Sequence, residues 1–221
     1  MKFCRVGLIL GALVWGGAVT TAEPLPLNLS RAKMAVRAYH DSGKYMRDVE
    51  QVASWAMDWL EQRAANRAPG ERLAAVFDVD ETVLSNYPQM DERDFGYEPD
   101  EWVAWVQKSA APAIAPMREV YRKARELDIA VIFLTGRHAP AEEAGTILNL
   151  ERADMGHYER IIFQTTADTA PTAAERKRLR RIELEREGWT IIASLGDQGS
   201  DIAGGHAERI FKLPNPFYEV P

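Results

Sequence analysis

Five short apolar runs, at residues 73–79, 130–134, 160–163, 190–195 and 209–213, recur through the last two thirds of this chain. Amphipathic stretches at 117–127, 141–150 and 173–187 lie between several of them. A run that is apolar at every position, rather than at alternate ones, describes a strand covered on both faces. Parallel strands also need long crossovers, which the intervening helical stretches supply. The pattern predicts an α/β fold, a Rossmann-like three-layer sandwich around a mainly parallel sheet. In such sheets ligands bind beyond the carboxyl ends of the strands, so chemistry is to be sought where the apolar runs stop.

The remaining segments fit around that sheet. Residues 29–66 carry apolar side chains at helical spacing and predict two N-terminal helices, with Ser30 as first cap, a break at Ser42-Gly43 and an end at Arg67-Ala68-Pro69-Gly70. Residues 85–115 change character to a mixture of acidic and aromatic residues, which predicts a small cap-like insertion directly after the first strand. Residues 1–22 combine Lys2 and Arg5, an apolar run over 6–19 and the small residues Thr20-Thr21-Ala22, the pattern of a cleaved signal peptide. That run is shorter than the roughly 18–20 residues a bilayer span requires, so no stable membrane anchor is expected after cleavage. The only cysteine, Cys4, lies before the run, not directly after it where a lipid anchor would need one.

The expected mature chain, 23–221, is a single domain exported to a periplasm or secreted. It has no cysteine, so a packed core must stabilise it, and 46% apolar composition is ordinary for that purpose. Of 27 Lys and Arg, two belong to the leader; 25 remain against 33 Asp and Glu, a net charge of −8. Such a field disfavours a nucleic-acid polymer as partner. A phosphate would have to be met by a local cationic site.

Candidate chemistry sits at the ends of the runs. The first closes on Asp78-Val79-Asp80-Glu81-Thr82, and in extended geometry the two aspartates face the same way. Two adjacent carboxylates suit covalent catalysis, one attacking and one donating a proton, although a turn or helix cap would account for the pair alone. The second run leads into Thr135-Gly136-Arg137, where a hydroxyl and free N–H groups can meet phosphate oxygens; a strand-ending turn is the plainer alternative. A basic run, Arg176-Lys177-Arg178, follows on a helix and by itself describes a solvated face. The fourth run ends in Gly196-Asp197-Gln198-Gly199-Ser200-Asp201, an oxygen-rich segment suited to Mg²⁺, or to an Asx turn opening a helix.

In this order the four elements resemble the haloacid dehalogenase superfamily. The segment from Phe77 to Asn86, Gly196-Asp197-Gln198 and the ending Phe211-Lys212-Leu213-Pro214-Asn215-Pro216-Phe217-Tyr218 are similar to subfamily IIIB, which contains plant acid phosphatases, vegetative storage proteins and bacterial class C acid phosphatases. The resemblance implies a phosphomonoesterase. Asp78 would be the nucleophile forming an aspartyl-phosphate, and Asp80 the general acid and base that also offers its carbonyl to Mg²⁺. Thr135, Gly136 and Lys177 would hold the phosphoryl group. Asp197 would bind the metal beside Asp78 and Asp80, with Asp201 as support or occasional ligand. Lys177, Arg181, Leu184, Glu185 and Gly188 match the family's spacing, whereas Arg178 departs from the small residue usual after the lysine.

The expected substrates are small phosphomonoesters. Tyr87, Phe95, Tyr97, Trp102 and Trp105 in the insertion either stack on a leaving group, which would favour nucleoside 5′-monophosphates, or attach the insertion to the N-terminal helices. A receiver-like signalling domain is disfavoured, because its phosphoacceptor lies on a later strand. A catalytically weak storage or binding protein of the same fold is the stronger rival.

Overall fold

The computed structural model describes residues 27–220. The leader expected at residues 1–22 lies outside the described residues. The elements in chain order are α1 (Leu29–Asp41), α2 (Lys44–Ala65), β1 (Arg72–Phe77), α3 (Tyr87–Glu92), α4 (Pro99–Lys108), α5 (Ala115–Glu126), β2 (Ala130–His138), α6 (Glu143–Arg152), β3 (Arg160–Gln164), α7 (Ala173–Arg186), β4 (Trp189–Gly196), α8 (Gly199–Ile202) and β5 (Arg209–Lys212).

All five strands pair in parallel in the order β3-β2-β1-β4-β5. The period of two divides β1 between two cores. Leu73, Ala75 and Phe77 join the larger one, with Val49, Val52 and Leu60 of α2 and Met117 and Val120 of α5. Ala74 and Val76 join the smaller one, with Ile132, Ile191 and Leu184 of α7. Burial on both faces explains why the runs of β1, β2 and β4 are almost continuously apolar, whereas the edge strands β3 and β5 are largely exposed or half-buried and carry Arg160, Arg209 and Lys212. The strand order reverses at β1, so the carboxyl ends of β1, β2 and β4 converge on one crevice.

Two boundaries differ from the sequence expectation for local reasons. The first helix is capped by Asn28, whose Oδ1 accepts from Arg31 N at 3.2 Å, which places Ser30 inside the first turn. The second strand continues past Leu134 to His138. Leu134 pairs with Ile162 and His138 with Gln164, so three residues of β2 stand opposite a single residue of β3. This bulge releases Thr135-Gly136-Arg137 from regular pairing beside the crevice. The break between the first two helices falls where expected: Gly43 takes φ +73°, which a side chain rarely tolerates.

The insertion at 85–115 is a closed excursion whose ends are paired, Ser85 N donating to Pro112 O and Ile114 N to Val83 O, both at 2.9 Å. Tyr87 stacks on His40 of α1 at 3.4 Å between ring centroids, and Arg37 lies over Phe95. Arg37 also pairs with Asp91 and Asp94, and Lys33 with Asp94. Exposed pairs of this kind contribute about 0.2–1 kcal/mol each, so the buried Tyr87 ring is the stronger attachment. On its other side the insertion rests on α6. A Cβ on Gly145 would lie 2.4 Å from Val106 O of α4, and Ser109 Oγ donates to Gly145 O at 2.8 Å. Gly145→Ala must therefore separate α4 from α6 and is expected to destabilise the protein by about 1–3 kcal/mol, measurable by urea unfolding.

Candidate active site

The main chain at the end of β1 continues as a loop rather than as an extended strand. Asp78 N still donates to Leu195 O at 2.9 Å, but Val79 O then accepts from Val83 N and Leu84 N, both at 3.0 Å, and Glu81 takes φ +50°. This turn buries Asp78, Glu81 and Thr82 at the centre of the crevice. Thr82 Oγ1 lies 3.4 Å from Asp78 Oδ2 and 3.1 Å from Asp197 Oδ1, tying the first loop to the one after β4.

Helix α7 supplies the cation. Thr172 caps its start by accepting from Glu175 N, and the helix presents Arg176, Lys177 and Arg181 inward, all buried. Lys177 Nζ donates to Asp78 Oδ1 at 2.6 Å and also to Asp201 Oδ1. Of the three consecutive cations, Lys177 is thus the one on Asp78. Arg176 reaches Thr135 O at 3.3 Å, and Arg178 pairs with Glu175. Arg181, one turn after Lys177, donates to the carbonyls of Asp201, Ala203 and Gly205 and braces that loop. A solvated face therefore does not describe this side of the helix.

Asp78, Asp197 and Asp201 are buried and place carboxylate oxygens within 4.8 Å of one another. Gly196 permits this closeness, because a Cβ there would stand 2.2 Å from Asp201 Cβ. Burial raises Asp78 well above the usual carboxylate range, opposed by Lys177 and reinforced by Asp201 and Asp197. Burial and Asp201 push Asp197 up to about 6. Burial alone would lower Lys177, but Asp78 and Asp201 outweigh it and hold the ammonium charged. Three carboxylates thus face one ammonium, and their donor set is hard oxygen throughout. That chemistry fits a divalent cation of the Mg²⁺ type.

Asp80 is turned to the neighbouring wall. Arg137 Nε donates to both its oxygens at 3.1 Å and Nη2 to Oδ1 at 2.7 Å, while Asn86 Nδ2 donates to Oδ1 at 2.7 Å. Arg137 is itself fully buried, with Nη1 on Thr146 Oγ1 at 2.9 Å and the Trp102 ring 5.6 Å away. Such a fork fixes both the position and the plane of a carboxylate.

Two adjoining cavities open from these residues. One of about 200 Å³ is lined by Asp78, Asp80, Gly136, Arg176, Lys177 and Asp197. The other, about 330 Å³, is lined by Asp80, Met90, Phe95, Tyr97 and Trp102 among others. They share Asp80, Tyr218 and Val220. A larger cavity of about 410 Å³ lies around Arg67, Arg72 and Asp128, toward the amino ends of the strands and away from the carboxylate cluster.

Five of the seven residues singled out from sequence, Asp78, Asp80, Gly136, Lys177 and Asp197, line one cavity. Thr135 and Asp201 stand behind it. Thr135 Oγ1 accepts from Arg137 N at 3.1 Å, and Asp201 is occupied by Lys177 on one oxygen and by Gln198 N, at 2.7 Å, on the other. Sequence reasoning did not assign Arg137, Gln198, Asn215 or Tyr218, although each stands in a segment that drew attention. Among the aromatic residues, Tyr87 and Phe95 attach the insertion to α1, and Trp105 Nε1 is bound to Asn86 Oδ1 at 2.8 Å. Tyr97 and Trp102 line the second cavity, as Phe95 also does.

No helix among the described residues is long and apolar enough to cross a membrane. The family model "HAD superfamily, subfamily IIIB (Acid phosphatase)" matches residues 12–221. The chain is 38% identical over 151 residues to the stem 28 kDa glycoprotein of Glycine max, a match spanning 66% of this chain and 59% of that protein. It is 31% identical over 189 residues to acid phosphatase 1 of Solanum lycopersicum, covering 84% of this chain and 73% of the relative. Vegetative storage protein 2 of Arabidopsis thaliana matches at 29% identity, over 66% of this chain and 56% of that protein. The class C acid phosphatase from Bacillus anthracis superposes with a TM-score of 0.72 at 23% identity, covering 86% of each chain, and so shares the fold. The chain belongs to the HAD superfamily, subfamily IIIB, the acid phosphatase subfamily.

Proposed function

We propose that this protein is an exported acid phosphatase that hydrolyses phosphomonoesters through a phosphoryl group carried on Asp78. The observation that carries this reading is the buried contact between Lys177 Nζ and Asp78 Oδ1, at 2.6 Å, in a cavity that also holds Asp80 and Asp197. A carboxylate so placed is oriented for attack, and the ammonium is already aimed at charge that develops on the phosphoryl oxygens.

In the first step an Asp78 oxygen bonds to phosphorus and the bond from phosphorus to the ester oxygen breaks. Asp80 gives its proton to that departing oxygen, releasing an alcohol. In the second step water attacks the phosphorus of the aspartyl-phosphate, Asp80 takes a proton from it, and inorganic phosphate leaves with Asp78 restored. Gly136 N–H and Lys177 hold the phosphoryl oxygens, with Thr135 behind them bonded to Arg137 N and shaping the same loop. Asp78, Asp197 and the Asp80 carbonyl, supported by Asp201, would hold Mg²⁺, which supplies positive charge against the phosphoryl group.

The cavity beyond Asp80 receives the leaving group. Its Trp102, Tyr97 and Phe95 rings favour a flat aromatic portion, which points to nucleoside 5′-monophosphates or aryl phosphates. Export rests on residues 1–22 as a leader and is tested by whether the exported protein begins at Glu23.

Hydrolysis of p-nitrophenyl phosphate with Mg²⁺ is expected for the wild type, with loss on adding EDTA and a fall of about three orders of magnitude or more in Asp78→Asn. A folded wild type that turns over no ester would instead favour the storage or binding role. Arg137→Lys keeps the charge but loses the fork on Asp80. It is expected to lower kcat about 10-fold or more with a smaller change in KM, read from steady-state kinetics.

The raised acids also set a pH dependence. A carboxyl raised in the fold, as Asp197 is from 3.8 to about 6, contributes stability that is full below pH about 4 and lost as pH rises through about 6. Metal competes with those protons. Mg²⁺ is therefore expected to raise Tm more at pH 7.5 than at pH 5, and differential scanning calorimetry with and without EDTA measures the difference.

A further inference from the structure

The last residues run back across the catalytic crevice. Phe217 anchors them, its ring lying 5.3 Å from the rings of both Tyr45 and Tyr87 and 6.2 Å from that of His40. From this anchor the strap, residues 214–220, binds the loops that carry the candidate chemistry. Asn215 Nδ2 donates to Asp197 Oδ2 at 2.6 Å, and Asn215 Oδ1 accepts from Phe217 N at 2.8 Å, closing a turn. Tyr218 OH donates to Glu81 Oε2 at 3.0 Å.

Gln198 makes a parallel link. Its Nε2 donates to the same Asp197 Oδ2, at 2.5 Å, and lies 3.4 Å from Tyr218 O. Its Oε1 accepts from Val220 N at 3.0 Å, so the strap fixes which way the Gln198 amide faces. Both amides occupy Asp197 Oδ2. The other oxygen, Oδ1, meets Thr82 Oγ1, which also lies beside Asp78.

We infer that the C-terminal strap positions Asp197 as a metal ligand, with Asn215 and the strap-held Gln198 fixing Oδ2 so that Oδ1 faces the site shared with Asp78. This rests on the Mg²⁺ reading given under Proposed function. Outer partners that orient a ligating carboxylate typically change metal affinity 10–100-fold when removed. Binding is reciprocal: a strap that favours the metal-competent carboxylate is in turn held more firmly when metal is bound. Asn215 and Gln198 are positioning residues here. They touch Asp197, not the substrate.

Mg²⁺ binding to the full chain by isothermal titration calorimetry, with wild type beside Asn215→Ala, tests this. The expected result is a Kd raised about 10-fold or more, with kcat recovered at saturating Mg²⁺ and KM for p-nitrophenyl phosphate unmoved. Should Asn215→Ala fail to fold, Asn215→Ser decides, since its shorter side chain keeps an acceptor for the turn but falls short of Asp197. Normal binding by wild type with a variant Kd within twofold overturns this inference alone. A wild type that takes up no Mg²⁺ overturns the metal reading and this inference together.

Discussion

An ammonium buried between two carboxylates organises this molecule. Lys177 bonds Asp78, just after β1, and Asp201, within α8, and so joins three elements across the crevice. The pair cannot be relaxed by solvent, because all three side chains are almost wholly enclosed. Breaking such a buried pair costs about 3–5 kcal/mol, since the remaining charge is left without a partner. The fold therefore holds the charge constellation together, and the constellation in turn fixes how α7 and the β4–α8 loop approach the sheet. Arg181, one turn along α7, secures α8 and the segment after it through the carbonyls of Asp201, Ala203 and Gly205.

Around this centre the carboxylates divide by environment. Asp78 and Asp197 lie in the buried cluster with Asp201, where burial resists their charge. Asp80 stands at the boundary between two cavities, held by Arg137 and Asn86. This separation suits a division of labour between a nucleophile held by a cation and an acid facing the leaving group. The insertion completes the second cavity, and its seat on α1 and α6 fixes how far Trp102 and Tyr97 stand from Asp80.

Much of this arrangement was legible in the sequence for identifiable reasons. The central strands β1, β2 and β4 could be read because burial on both faces makes nearly every position apolar, and Asp78 and Asp197 stand out because they lie where two of those runs stop. The spacing from Lys177 to Arg181 and Leu184, matched to the family's pattern, pointed to the one of three consecutive cations that lies on Asp78, which charge alone could not do. The bulge that frees Thr135-Gly136-Arg137 was not legible, because register depends on the partner strand β3. The fork between Arg137 and Asp80 follows from that bulge and was hidden with it. The course of the tail depends on where Phe217 finds an aromatic seat, and its partners lie on α1, α2 and α3. Nothing local to Asn215 discloses that it meets Asp197.

Whether Asp78 carries the phosphoryl group, as proposed, is decided by chemical trapping. Enzyme mixed with excess p-nitrophenyl phosphate, quenched in acid during turnover and reduced with borohydride, should yield homoserine in place of Asp78 in the peptide spanning Phe77 to Asn86. Turnover with unmodified Asp78 and the reduced product at another carboxylate would mean that Asp78 is not the nucleophile.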